Sequence, residues 1–229
     1  MKLLSIESSA KAASVSLTQG EALLCQYYHN SGLTHSRTLL PMADDLLKNM
    51  ELTPADIDAI AVAVGPGSFT GIRIGVATAK GMAFAMDRPC FGVSTLEAMA
   101  WQGAHMGGII CPVMDARRNQ VYNALFEERD GKLTRLTEDR AIAVEDLFCE
   151  TRGKQLLLVG DGAKMCYNWL KERDELNPVK MLPENILYQS AWGVSMAAKY
   201  ADPCSAHELK PNYIRLSQAE RELLEREKN

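Results

Sequence analysis

The sequence lacks the features that would place it in a membrane or outside the cell. It contains no apolar run of about 18 residues, the length that a membrane-spanning helix needs. The apolar start at residues 3–6 is interrupted by Glu7, so it does not match a secretory signal. The six cysteines include no C-x-x-C pair, and we expect them to be reduced. These absences predict a soluble, cytoplasmic protein that does not enter a membrane.

Patterns for binding metal or nucleic acid are also missing. Histidines are few, and no two are spaced i, i+4, so the sequence predicts no metal site on a helix: His29, His35, His105 and His207. The formal net charge is −4, and there is no dense basic block. We therefore expect the chain alone to be poorly suited to gripping nucleic-acid phosphates, although a partner could supply the basic surface.

A glycine-rich stretch dominates what is present. Residues 57–64 are apolar and rich in β-branched side chains, and Gly65-Pro66-Gly67 follows, which predicts a buried strand ending in a sharp turn. The glycine spacing fits neither the dinucleotide fingerprint nor the P-loop. Because the residues around Ser68 do not form a nucleophile elbow either, its favoured role is to cap a helix over 71–86.

That predicted helix carries small residues every four positions, at Gly71, Gly75, Ala79 and Ala83. Such a ridge permits close approach of another helix. One interpretation is that the ridge packs on the chain's own sheet. The other is that one face of the helix meets the sheet and another meets a partner, which it would dock together with a predicted helix over 36–50. On the docking interpretation, the interface comprises Leu39, Met42, Ala43, Leu46, Gly71, Arg73, Gly75, Ala79 and Ala83. Replacing Gly75 or Ala79 with leucine would then abolish docking and leave the fold intact.

The order of predicted elements repeats along the chain. Strands over 3–6, 13–18 and 22–28 precede a helix and the glycine unit, and strands over 109–114, 121–126 and 133–136 begin a second series. A helix over 144–150 and a strand over 156–159 with a second glycine turn follow. The repeat predicts an α/β fold of two similar lobes, 1–105 and 106–216, with a charged tail at 217–229.

A twice-repeated lobe of this kind resembles the actin, sugar-kinase and Hsp70-like superfamily. Five stretches carry more specific local motifs: 65–75, 92–96, 114–117, 121–122 and 211–215. These motifs are similar to those of the TsaB (YeaZ) family, which acts in making threonylcarbamoyladenosine (t6A) in tRNA.

The resemblance implies a non-catalytic scaffold or activator subunit. Its implied partners are a TsaD-like catalytic paralogue and a TsaE-like ATPase, with a homodimer through the same helices when it is alone. It implies that tRNA is reached only through the complex. The protein would have no cofactor of its own, although a nucleotide at the partner interface is compatible with this family.

The chain departs from its catalytic paralogues at two places. Thr95 and Met99 stand where TsaD-like proteins have a metal-binding H-x-x-x-H pair, and neither is a plausible ligand. Glu7 replaces the aspartate that this fold usually places at its first turn. The residues expected near a nucleotide phosphate are Glu7, Ser9, Gly65, Gly67, Ser68 and Asp115. A salt bridge from Asp115 to Arg117 is favoured over an acid role.

Two alternatives to the scaffold role remain open at this point. One is a nucleotide-dependent kinase or transferase of the same superfamily, with Glu7 and Asp115 near phosphate and metal. The other is a metallopeptidase, which is disfavoured because the sequence shows neither a ligand set nor a nucleophile elbow. No catalytic residue is predicted.

Overall fold

The computed structural model describes residues 1–173 and 178–215 of the chain. The charged tail predicted at 217–229 lies outside the described residues. Two mixed β-sheets form the centre of the molecule, and helices cover them. The predicted α/β class with two lobes is therefore confirmed.

The first sheet has five strands in the spatial order β3-β2-β1-β4-β5. They are β1 Lys2–Glu7, β2 Ala13–Gln19, β3 Ala22–His29, β4 Ala59–Gly65 and β5 Cys90–Ser94. The first three are antiparallel neighbours, whereas β1, β4 and β5 run parallel. Parallel strands need crossover connections, and the helices between them provide these crossovers.

The second sheet repeats the first. Its main strands are β6 Ile109–Asp115, β7 Gln120–Asn123, β10 Arg140–Ala143, β11 Leu156–Val159 and β12 Val179–Met181. Their order β10-β7-β6-β11-β12 matches that of the first sheet strand for strand, with the same parallel and antiparallel pairs. The predicted internal repeat is therefore confirmed at the level of topology.

One part of the predicted repeat is wrong. The strand predicted over 121–126 is split in two, because the chain leaves β7 after Asn123 and enters a hairpin of β8 Phe126–Arg129 and β9 Lys132–Arg135. The segment predicted as the third strand, 133–136, belongs to this hairpin. The true third strand is β10. Its four residues are all half-buried, so it lacks the alternation by which a strand is recognised.

Six helices cover the described sheets. They are α1 His35–Asn49, α2 Phe69–Met86, α3 Thr95–Gln102, α4 Val144–Glu150, α5 Ala163–Lys171 and α6 Ala191–Ala198. Helices α1 and α2 pack together on one face of the first sheet, while α3 and α6 cover its other face. Helix α3 also joins the core of the second lobe, which α4 and α5 help to form.

The predicted boundary at 105 does not separate the chain into two independent units. Helix α6 lies within 106–216, but it packs on the first sheet, where the Ser195 hydroxyl donates to Ser5 Oγ at 2.8 Å. The later segment also returns to the first lobe, since Cys204 exchanges backbone hydrogen bonds of 2.8 Å with Cys90. The lobes are thus joined by the C-terminal part of the chain.

Candidate partner-binding face and interlobe cleft

The glycine loop is pinned to the turn between β1 and β2. The backbone N–H of Ser68 donates to Ser9 O at 2.7 Å, and Ser68 Oγ accepts from Gly71 N at 3.3 Å. Ser68 is therefore the N-cap of α2, as the sequence predicts. Gly67 has a φ of 154°, and a Cβ there would collide with the Ser9 backbone oxygen, so a side chain at this position has no room.

The predicted ridge of α2 points inward. Gly71 and Gly75 lie against Ser8, and a Cβ on either would collide with the Ser8 backbone oxygen or its Oγ. The Ser8 hydroxyl donates to Gly71 O at 2.9 Å, and Ala79 and Ala83 are buried. The small residues of the ridge therefore let α2 pack closely against the chain's own first lobe. Its prediction as a docking surface is wrong for these four residues.

The α1 residues of the predicted interface are mostly internal as well. Leu39, Ala43 and Leu46 are buried in the core of the first lobe, so they cannot contact a partner directly. Met42 is half-buried and Arg73 on α2 is exposed. Of the predicted interface residues, these two alone are not buried, because the small and apolar positions chosen from the sequence face the core of the first lobe.

The opposite side of α2 is open. We call Arg73, Ala77, Gly81, Phe84 and Ala85 the outer face of α2, since all five are exposed. Phe84 is 83% exposed, and a Cβ added to Gly81 would meet no atom within 4 Å. Sequence reasoning missed all of these except Arg73. A signal was present, because Ala77, Gly81 and Ala85 recur every four residues just as the inner ridge does.

Helix α1 extends the apolar character of this surface. Leu40 is 55% exposed on the helix that packs beside α2. An exposed aromatic and an exposed leucine near small residues are typical of protein–protein interfaces, where large side chains insert and small ones permit close approach.

A cleft of about 500 Å³ separates the lobes. Four of the residues expected near phosphate line it: Ser9, Gly67, Ser68 and Asp115. The other two do not. Glu7 is fully buried behind the cleft, and Gly65 packs against the backbone of Asn212. The structure thus brings four of the six predicted residues together in the cleft, but the carboxylate of Glu7 does not line it.

Glu7 is held in a setting that disfavours its charge. Burial raises the pKa of its carboxyl group to about 7, and the nearby Asp161 adds to the rise. The Ser9 backbone N–H donates to Glu7 Oε1 at 2.6 Å and opposes the rise in pKa. The Ser9 hydroxyl also lowers the pKa of Glu7. Its Oγ nevertheless makes no hydrogen bond of good geometry with the residues that the structure describes.

The second-lobe side of the cleft carries Asp115 and Asp161. Asp115 Oδ1 accepts the backbone N–H of Arg117 at 2.7 Å, in a turn where Arg117 has a φ of 64°. Burial raises the pKa of Asp161, and the Gln189 side chain donates to it at 2.9 Å. Both carboxylates therefore have protein donors of their own.

The C-terminal segment closes one side of the cleft. The Tyr213 ring stacks on Phe69 at 4.5 Å between centroids, and Arg73 Nε donates to the Tyr213 hydroxyl at 2.8 Å. Two residues later, Arg215 donates to Ala116 O in the second lobe at 3.2 Å. The segment therefore joins the start of α2 to the turn after β6.

Thr95 and Met99, which stand where TsaD-like proteins are expected to have a metal-binding pair, are both buried. Thr95 is fully buried, and Met99 packs in the core of the second lobe. Within residues 1–173 and 178–215, no three His, Cys, Asp or Glu side chains are placed to hold a metal ion. In the same ranges, no helix combines the length and the apolarity needed to cross a bilayer.

Comparison with known proteins agrees with this architecture. The model of the TsaD family, described as tRNA N6-adenosine threonylcarbamoyltransferase, matches residues 30–181. The tRNA threonylcarbamoyladenosine biosynthesis protein TsaB of Bacillus subtilis is 29% identical over the whole of both chains. TsaB of Buchnera aphidicola is 30% identical over 82% of this chain and 89% of its own.

A solved structure gives the same result in three dimensions. YeaZ from Pseudomonas aeruginosa superposes with a TM-score of 0.79 and 25% identity, covering 93% of this chain and 99% of its own. The two-lobed α/β fold described above is thus shared with this solved structure. Because sequence and structure agree along nearly the full length, the chain belongs to the TsaB (YeaZ) family.

Proposed function

We propose that this protein is a non-catalytic subunit that docks a TsaD-like catalytic paralogue for t6A modification of tRNA. Support for the pathway comes from the named relatives, which are t6A biosynthesis proteins. Support for a docking role comes from α1 and α2, which present exposed apolar side chains beside small residues. Docking would stabilise the active arrangement of the partner by differential binding to it.

The single observation that carries the proposal is the exposure of Phe84. Phe84 lies in the last turn of α2 and is 83% exposed, so its ring is left in water, which is unfavourable in the free chain. The small side chains at Ala77, Gly81 and Ala85 let a partner helix come close enough to cover that ring. Burying it in a partner would supply about 2–3 kcal/mol.

Other associations use the same surface in this proposal. A second copy of the chain could bury Phe84 and Leu40 in a homodimer, which would then compete with the paralogue. A TsaE-like ATPase would join the assembly formed with the paralogue. Any nucleotide at the interface would be held by the assembled complex.

A second candidate is a nucleotide-dependent transferase, which the cleft of about 500 Å³ and its serine-lined edge favour. It is weaker because Glu7, the acid at the first turn, is buried and its pKa is about 7, so it does not present a fixed charge to a metal. Calorimetry with ATP and Mg²⁺ on the purified chain separates the two, since tight binding with turnover would favour the enzyme.

The docking proposal is tested by replacing exposed apolar side chains on α1 and α2 with aspartate. Leu40→Asp and Phe84→Asp should each lose co-purification with the paralogue and keep the stability of the parent protein, because each side chain already faces water. Leu136→Asp is the matched control, since Leu136 is 46% exposed on the second lobe. Complex formation that persists in both test variants would contradict the proposal, as would equal loss in the control.

A further inference from the structure

Cations gather at the mouth of the cleft although the chain is acidic overall. Lys11 and Arg117 line the cleft, and Arg215 lines a narrow groove that adjoins it. Arg73 lies 5.7 Å from the centre of the Phe69 ring, which both cavities share. Two carboxylates also line the cleft, those of Asp115 and Asp161. The mouth therefore carries a local positive surplus on a chain of net charge −4.

Aromatic rings alternate with these cations. Tyr213 is 39% exposed and stacks on Phe69, while Arg215 lies 5.7 Å from the centre of the Tyr122 ring. Basic groups that follow a phosphate backbone, with aromatic faces on which bases stack, are the two components of single-strand recognition. Both occur here within one continuous edge of the molecule.

The start of α2 adds a place for a phosphate group. Ser68, Phe69 and Thr70 line the cleft at the N-terminus of this 18-residue helix, where backbone N–H groups and the helix dipole favour an anion. Ser9 lines the same cleft, is fully buried, and has an Oγ without a hydrogen-bond partner among the described residues. A phosphate oxygen would offer that hydroxyl a better-placed acceptor than the Glu7 carboxylate, whose pKa the hydroxyl lowers.

We propose that the cleft mouth binds a single-stranded segment of RNA, with one phosphate at the N-terminus of α2 and a base against Tyr213, which is exposed. The inference rests on the proposed role in tRNA modification and assigns this chain a direct contact with the substrate. A strand fits better than a lone nucleotide, because the cations continue from Lys11 and Arg117 in the cleft to Arg215 in the adjoining groove. That path extends beyond a single phosphate group.

The test uses the full chain and a labelled single-stranded oligoribonucleotide, followed by fluorescence anisotropy over a range of salt concentrations. The double variant Lys11→Ala/Arg117→Ala should bind at least about tenfold more weakly at low salt, and the slope of log affinity against log salt should fall by about 0.7 for each cation removed. Lys132→Ala/Lys154→Ala is the charge-matched control on exposed sites of the second lobe, and it should bind as the parent does.

Three results would overturn this inference. They are no RNA binding by the parent chain at low salt, equal loss in the control pair, and binding of AMP or ADP without binding of RNA. Docking is measured on the same variants and should be unchanged, because neither Lys11 nor Arg117 belongs to the outer face of α2. Loss of RNA binding with docking intact therefore concerns this inference alone, whereas loss of docking in Phe84→Asp concerns the proposed function.

Discussion

The inner and outer faces of α2 both carry small residues every four positions, but the inner face packs against the chain itself and the outer face is open to solvent. On the inner face, Gly71 and Gly75 touch Ser8, and nothing larger than hydrogen fits. On the outer face, Gly81 has open space around it, next to the exposed ring of Phe84. A stripe of small residues therefore shows that something comes close, but the neighbour can be the chain itself or another molecule.

Replacing Gly75 with leucine should disrupt the packing of the inner face and produce the largest effect of these substitutions. The side chain would enter the space of Ser8 Oγ and Val62, so we expect a loss of more than about 3 kcal/mol in the free energy of unfolding. The gain in helix propensity, about 0.8 kcal/mol, is too small to offset it. Urea denaturation measures the change, and a variant as stable as the parent would show that the inner face has room.

Replacing Glu7 with glutamine tests the turn on which the inner face packs. The folded-state pKa of Glu7, about 7, lies above its ordinary 4.5, so the folded protein binds the proton more tightly than the unfolded chain. Stability is then greatest below pH 4.5 and declines as the pH rises to 7, by about 3 kcal/mol in all.

The glutamine variant cannot ionise, so its stability should change much less between pH 5 and pH 8. Guanidinium denaturation at the two pH values measures this difference. Partner binding at pH 8 should match that of the parent, because Glu7 is remote from the outer face. A parent protein that gains stability over this pH range would refute the assignment.

Replacing Gly81 with leucine sharpens the comparison, since it is the same substitution on the outer face. Stability should be retained, or rise by up to about 0.8 kcal/mol through helix propensity. Affinity for the paralogue should fall about a hundredfold, or roughly 2.7 kcal/mol, because the new side chain blocks close approach. Calorimetric titration gives the affinity, and unchanged binding would place the partner elsewhere.

Replacing Tyr213 with alanine should produce the smallest effect. It removes the stack on Phe69 and the hydrogen bond from Arg73, and we expect a loss of about 1 kcal/mol in stability. Tyr213→Phe keeps the stack and should lose roughly half as much. Thermal denaturation of the two variants compares them, and equal losses would mean that the ring contributes nothing.

Local sequence patterns predicted much of the fold. Ser68 was identifiable as a cap because its residue type and the turn before it are local signals. The repeat was visible in the order of strands and glycine turns. By contrast, β10 was missed, since four half-buried residues carry no clear period.

Which face of α2 is buried could not be predicted from the residues of the helix itself. The helix is apolar or small nearly all round, so its periodicity does not select one face as buried. The choice is made by Ser8, 63 positions away from Gly71, which no local pattern relates to the helix. For the same reason Phe84 was not recognised as exposed, because an aromatic residue in an apolar helix ordinarily belongs to the core.

Hydroxyl-radical footprinting of Phe84 tests the docking face most directly, because the ring is 83% exposed in the free chain and its oxidation reports access to water. The chain would be labelled alone and in complex with the TsaD-like paralogue, with Leu136 on the second lobe as internal reference. We predict that labelling of Phe84 falls sharply in the complex while labelling of Leu136 is unchanged. Equal labelling of Phe84 in the free and bound states would contradict the account.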